Sequence, residues 1–264
     1  MTILDKIIAE KRKEVEQLKK EVFTQIPTKS NIKTFIEQIR SKQTMGIIAE
    51  IKRASPSKGM INADVDPVKQ AIFYEENGAN AISILTDAPF FKGSMDDLKS
   101  VRKAVNLPIL CKDFIIDPIQ IDQAKAAGAN IILLIAAALS EQELIHLYEY
   151  ATSENLEVIC EVNNEAEMET VLKTGATLIG VNNRDLKTFD VDLQNTARLA
   201  HLVDNEDVIL IGESGISTKQ NVEELANAGA EAILVGETLM RADNVPQTLT
   251  SFQVPLPIKE GHYK

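Results

Sequence analysis

Eight strand–helix units closed into one α/β barrel are the fold that this 264-residue sequence predicts, on three observations. Short apolar runs recur roughly every 20 to 35 residues, at Gly46–Ile51, Ala81–Leu85, Pro108–Cys111, Asn130–Ile135, Leu156–Cys160, Leu178–Val181, Val208–Ile211 and Ala232–Val235. Amphipathic segments lie between the runs, so the strands are parallel and their crossovers helical. No G-x-G-x-x-G turn follows the first run, as an open doubly wound sheet would favour. Eight units in about 220 residues fit a (β/α)8 TIM barrel with an N-terminal helical extension.

The extension, residues 1–45, comes first. Ile3, Ile7, Ile8, Val15 and Leu18 recur near helical spacing, with Lys and Glu on the other face. The interspersed Glu residues argue for a helix packed on the body of the protein rather than on a membrane surface. A second helix is expected over Ile32–Ile39, after a break at Pro27. Within the barrel, four strands are approached through one form: "ENGAN", "AAGAN", "KTGAT" and "NAGAE". In each, Gly follows the last helical residue, as a left-handed C-cap requires. Ser140 and Glu143 have capping-box spacing at a helix start. No Pro/Gly/Ser-rich linker divides the repeats, so residues 1–264 read as a single barrel domain, with 252–264 as a poorly ordered C-terminal tail.

Composition removes several function classes. A formal charge of -11 argues against nucleic acid and anionic membranes as partners. No apolar run approaches the roughly 18 residues of a membrane span. The start, "MTILDKIIAEKRKEVEQLKK", lacks the apolar core of a signal peptide. Cys111 and Cys160 both lie in strand runs and are expected to be reduced packing residues, which fits a cytoplasmic protein. His146 and His201 read as helical and His262 as part of the tail, and none has metal-ligand spacing, so no metal site is expected.

The charges concentrate where strands end. In "IIAEIKRASPSKG", Glu50 and Lys52 alternate with apolar residues and close the first strand. Lys112 closes the third, Glu161 the fifth, Asn182 and Arg184 the sixth, and Glu213 the seventh. Their neighbours Ile51, Cys111, Cys160, Val181 and Gly212 are apolar or small, as residues facing the surrounding helices should be. Burying so many ionisable groups is costly unless they pair or act. A ring of salt bridges is the purely structural alternative, but the C-terminal rim of such barrels carries chemistry. Gly215 and Gly236 sit where the seventh and eighth strands turn, the usual phosphate site of these barrels, although each alone is also a plain turn glycine. Lys52 and Ser55 are placed to complete an anion's shell from the first loop, where the Ser-Pro-Ser-Gly turn is expected to be a mobile binding loop.

Taken together, "IAEIKRASPSKG", "CKDF", the fifth strand with Glu161, "GVNNRDL" and "GESGI", in this order, resemble the indole-3-glycerol phosphate synthase family of tryptophan biosynthesis. The resemblance covers essentially the full chain. It implies a carboxy-lyase that closes the ring of 1-(2-carboxyphenylamino)-1-deoxyribulose 5-phosphate, giving indole-3-glycerol phosphate, CO2 and water without metal or organic cofactor. On it, Lys112 matches the general acid and Glu161 the acid/base group of the later dehydration. Lys52 matches a residue near the substrate carboxylate and phosphate, sometimes credited with proton transfer. Glu50 and Glu213 match carboxylates that orient the lysines, Asn182 a hydrogen-bonding residue, and Arg184 a cation near the anthranilate end. Phe91 and Phe114 match the aromatic walls; Phe90 competes with Phe91 for that place. Ser214, Gly215 and Gly236 match the phosphate loops. Where some members have "GSS", this chain has Gly236-Glu237-Thr238, so the backbone N–H of Glu237, not its carboxylate, is the expected phosphate donor.

The partner implied is a phosphorylated small molecule, not nucleic acid or membrane, with other tryptophan-pathway enzymes as candidate protein partners. Two rivals remain. A sugar-phosphate isomerase on the same barrel would share the phosphate loops but use a pair such as Cys and Asp. A phosphate-binding barrel without catalysis would have no use for Lys112 and Glu161.

Overall fold

The computed structural model describes residues 2–26, 32–185 and 187–257. Eight parallel strands form a closed barrel in which each pairs with the next in sequence and the last returns to the first. They are β1 (Gly46–Ile51), β2 (Ala81–Leu85), β3 (Ile109–Lys112), β4 (Ile131–Ile135), β5 (Glu157–Val162), β6 (Leu178–Asn182), β7 (Ile209–Glu213) and β8 (Ala230–Val235). The apolar runs located all eight but misplaced several ends. Lys112, Glu161, Asn182 and Glu213 belong to the strands rather than following them. The backbone ladder continues past the last apolar side chain because pairing depends on N–H and C=O groups, not on side-chain polarity.

Period-two alternation sorts the side chains into two cores. Outside the strands, Ile51, Cys111, Cys160 and Val181 pack among the helices. Gly212 lies against Leu225, whose Cδ1 would be 2.9 Å from any Cβ there. Inside, Ile48, Leu110, Ile131, Leu133, Ile159, Ile209 and Ile211 form a separate cluster. The four "GA" turns hold Gly78, Gly128, Gly175 and Gly229 at positive φ (94°, 92°, 75° and 100°), the left-handed C-cap that favours glycine. Ser140 caps its helix through a capping box with Glu143.

The two helices before the barrel go to opposite ends of it. The second, α2 (Phe35–Arg40), is shorter than the expected Ile32–Ile39 because Thr34 caps it. It pushes Phe35 and Ile39 into the interior cluster and closes the N-terminal end. Glu157, the first residue of β5, fixes this plug by accepting from the N–H groups of Phe35 (2.7 Å) and Ile36 (2.9 Å). The first, α1 (Ile3–Leu18), reaches the C-terminal mouth. Its buried residues are Ile7, Lys11, Val15 and Leu18, so the stripe expected through Ile8 runs through a lysine instead. A charged residue hides from a hydrophobic pattern, and Lys11 is tolerated there only because carboxylates meet it.

Past the last strand, Phe252 and Val254 are buried, and the backbone pairs through Met45 N–H to Val254 C=O (2.8 Å) and Leu256 N–H to Gln43 C=O (2.9 Å). Residues 252–257 of the proposed tail are thus bonded to the approach to β1. The remainder, with His262, and the break at Pro27 lie outside the described residues. His201 stands just after its helix as the C-cap, not within it.

Candidate active site

One cavity of about 890 Å³ opens at the C-terminal end of the strands, and all fourteen site residues expected from the sequence line it. From β1 come Glu50 and, just beyond, Lys52, whose Nζ lies 2.6 Å from Glu50 Oε1. From β3 comes Lys112, between Glu213 Oε2 of β7 (2.6 Å) and Glu161 Oε2 of β5 (3.1 Å). The other Glu161 oxygen accepts from the Asn182 side chain of β6 at 3.0 Å. With Asn182 beside them, the five charged groups form one ring one pleat above the apolar interior.

Two glycines make room for it. A Cβ on Gly180 would sit 2.3 Å from Glu213 Oε1, and one on Gly236 would sit 2.3 Å from Glu50 Oε1 and 3.2 Å from Lys52 Nζ. Gly236 is therefore more than a turn residue: its missing side chain lets the β8 loop lie directly on the Glu50–Lys52 pair. Gly215 has a different reason, since Ser214 and Gly215 are both left-handed (φ 66° and 77°). The chain does not enter a helix directly after Gly215: the next one starts at Lys219, capped by Thr218. Glu237 opens the short helix Glu237–Arg241 after β8, and its carboxylate is engaged by Arg241 (3.2 Å) and approached by Lys58 (3.9 Å).

Electrostatics follow from burial. Burial opposes the charge on Lys112, but Glu213, Glu161 and Glu50 outweigh it and hold the ammonium above its ordinary pKa. Burial raises the Glu213 carboxyl; Lys112 opposes that, the charges of Glu161 and Glu50 add to it, and it is pushed up to about 7. Its Oε1, turned toward Gly180, has no hydrogen-bond partner among the described residues. Cys111 and Cys160 are buried with their thiols pushed up to about 12, which leaves them protonated packing groups.

The opposite walls differ in character. Phe91 and Phe114 face each other with ring centroids 5.9 Å apart and tilted by 37°. Ser55 lies in a two-residue ladder, Ala54–Ser55 with Gly59–Met60, that ties the ends of the Ser-Pro-Ser-Gly turn together. Arg184 lines the cavity while its guanidinium donates to the Phe189 carbonyl at 2.8 Å. Among the described residues, no group of three or more His, Cys, Asp or Glu side chains is arranged to hold a metal ion. Among the same described residues, no helix is long and apolar enough to cross a membrane.

The sequence profile described as indole-3-glycerol phosphate synthase matches residues 4–252. The chain belongs to the indole-3-glycerol phosphate synthase family. An indole-3-glycerol phosphate synthase from Oceanobacillus iheyensis is 52% identical over 256 residues, 97% of this chain and 98% of that protein. One from Bacillus cereus is 49% identical, over 92% of this chain and 95% of that protein. Among solved structures, a 3-hexulose-6-phosphate synthase has a TM-score of 0.63 at 16% identity, covering 79% of this chain and 98% of its own. Thiamine phosphate pyrophosphorylase from Pyrococcus furiosus has a TM-score of 0.56 at 19% identity, covering 79% and 93%. These two likenesses concern the barrel alone.

Within this synthase site, sequence reasoning missed two groups of residues. Leu133, Ile135 and Leu234 floor the cavity, and strand alternation alone could have found them. Ile3, Leu4 and Ile7 of α1 line it too, together with Lys58 and Arg241. Nothing in local sequence says that a helix 40 residues before β1 returns to the far end of the barrel.

Proposed function

We infer that this chain converts 1-(2-carboxyphenylamino)-1-deoxyribulose 5-phosphate into indole-3-glycerol phosphate, CO2 and water. The observation that carries the reading is the Lys112 ammonium between Glu161 and Glu213, with an aromatic pair and the loops at 214–215 and 236–237 lining the same cavity. The aryl carbon bearing the carboxylate attacks the ribulose carbonyl carbon while Lys112 delivers a proton to the oxygen. Loss of CO2 returns its bonding pair to the ring system. Glu161 then takes a proton from the neighbouring carbon and returns it to the new hydroxyl, which leaves as water. A carboxylate that departs as neutral CO2 makes the sequence consume one proton overall, which suits a site built around a proton donor.

Lys112 rests proton-loaded, and a donor held above its ordinary pKa releases its proton only when a partner changes. The substrate carbonyl supplies that change by replacing a carboxylate at Nζ. Glu50 and Glu213 orient the two lysines, and Asn182 holds Glu161. Phe91 and Phe114 enclose the anthranilate ring, with Arg184 as the cation at that end. Ser214, Gly215, Gly236 and the N–H of Glu237 receive the phosphate, with Lys52 and Ser55 closing its shell. The proximity of Lys52 to the Gly236 backbone supports this. The enzyme works in the cytoplasm, and other tryptophan-pathway enzymes are its candidate protein partners.

Turnover followed by indole fluorescence tests the reading. Product formation that inorganic phosphate inhibits competitively is expected. A chain that binds phosphate without forming indole product would be a phosphate-binding barrel instead.

A further inference from the structure

Two buried carboxylates hold the backbone of the aromatic wall. Asp87 Oδ1 accepts from the N–H groups of Phe90 (2.8 Å) and Phe91 (3.2 Å), capping the short helix that carries Phe91. Asp113 Oδ1 accepts from the N–H of Phe114 at 2.7 Å, and Oδ2 from the Thr86 hydroxyl at 2.5 Å. Asp87 is 1% exposed and Asp113 7%. Burying two carboxylates is costly unless something pairs with them.

One side chain serves both. Lys11 of α1, itself 1% exposed, places Nζ 2.7 Å from Asp113 Oδ1 and 3.3 Å from Asp87 Oδ2, with Glu14 Oε2 at 2.9 Å. Burial opposes its charge, yet Asp113 and Glu14 more than compensate and hold it above its ordinary pKa. The lysine also comes from the helix whose Ile3, Leu4 and Ile7 line the cavity.

We infer that Lys11 is a positioning residue for the aryl end of the substrate, neutralising the two carboxylates that set Phe91 against Phe114. This rests on the reading of those rings as the aryl walls. The alternative is that Lys11 only pins α1 to the barrel. The pair of exposed Lys19 with half-buried Asp117, at 2.9 Å, pins the same helix away from the rings and provides the control.

Steady-state kinetics of Lys11→Met and Lys19→Met, with wild type alongside, separate the two. Lys11→Met should raise KM about tenfold or more, the scale of a displaced positioning group, with kcat within about threefold. Its inhibition constant for inorganic phosphate should stay within about twofold of wild type, because the phosphate loops lie across the cavity. Lys19→Met should leave all three unchanged. A Lys11→Met KM equal to that of Lys19→Met would overturn the inference while wild-type turnover left the synthase reading intact. If Lys11→Met does not fold, Asp113→Asn is the second variant, since it leaves Lys11 paired with Asp87 and Glu14. It should raise KM by about three- to tenfold, and an unchanged KM there would be equally damaging. Absence of turnover in wild type would instead strike the synthase reading itself.

Discussion

Ile48, Leu110, Ile159 and Ile211 point into the lower barrel; two residues further along the same four strands stand Glu50, Lys112, Glu161 and Glu213. The backbone presents both sets identically. What differs is the neighbour at each end. Below, α2 seals the interior with Phe35 and Ile39, so apolar burial is complete. Above, the barrel opens into the cavity, and each charge is met by one of opposite sign. The lower layer also acts on the upper one. By excluding water beneath the ring it strengthens the ion pairs and penalises any charge left over, as the raised Glu213 carboxyl records. One end of the barrel is built for stability and the other for chemistry, and substitutions should separate the two.

The largest expected effect lies at the top. Lys112→Ala should lower kcat by roughly 10²–10⁴-fold, the usual worth of a positioned acid. KM should change less, since the phosphate loops and aromatic walls remain. Turnover must be expressed per folded molecule, because Glu161 and Glu213 lose their counter-ion in this variant. Lys112→Arg keeps the charge but does not readily give up a proton. Near-normal turnover with arginine would show that charge suffices and would move the general-acid assignment to Lys52.

The bottom should respond in the opposite way. Phe35 is fully buried, and Phe35→Ala should cost about 3–5 kcal/mol of stability, seen as a lower urea midpoint. The folded fraction should keep wild-type kcat and KM. A drop in kcat with unchanged stability would mean that the plug is coupled to the ring above, and the division of labour would fail.

This division also explains what could be read from the sequence. Strand periodicity and the four "GA" caps are local, so all eight strands were legible. The ring was legible because Glu50, Lys112, Glu161 and Glu213 break apolar runs at positions whose direction the pleat decides. Lys11 was not, because a buried lysine looks like a solvated one until its carboxylate partners from other elements are known. The docking places of α1 and α2 were equally hidden, since they are set by contacts roughly a hundred residues away, as Glu157 is from Phe35.

The smallest expected effect concerns the proton on Glu213. Its carboxyl is raised from an ordinary 4.5 to about 7 in the folded protein, so between those values the native state holds a proton that the unfolded chain has lost. Stability from this group is therefore complete below about pH 4.5, falls as pH rises toward 7, and is flat above. At about 1.4 kcal/mol per pH unit the loss is at most on the order of 3 kcal/mol. Glu157 and Glu167, also raised by burial, slope the same way, so the wild-type curve alone would not isolate Glu213. Glu213→Gln does isolate it, because an amide keeps the shape of the protonated acid and cannot titrate. Urea melts between pH 5 and 7.5 should show the wild type losing stability more steeply than the variant. Parallel curves would mean that Glu213 is ionised throughout, held so by Lys112, and that the apolar floor beneath the ring does not reach it.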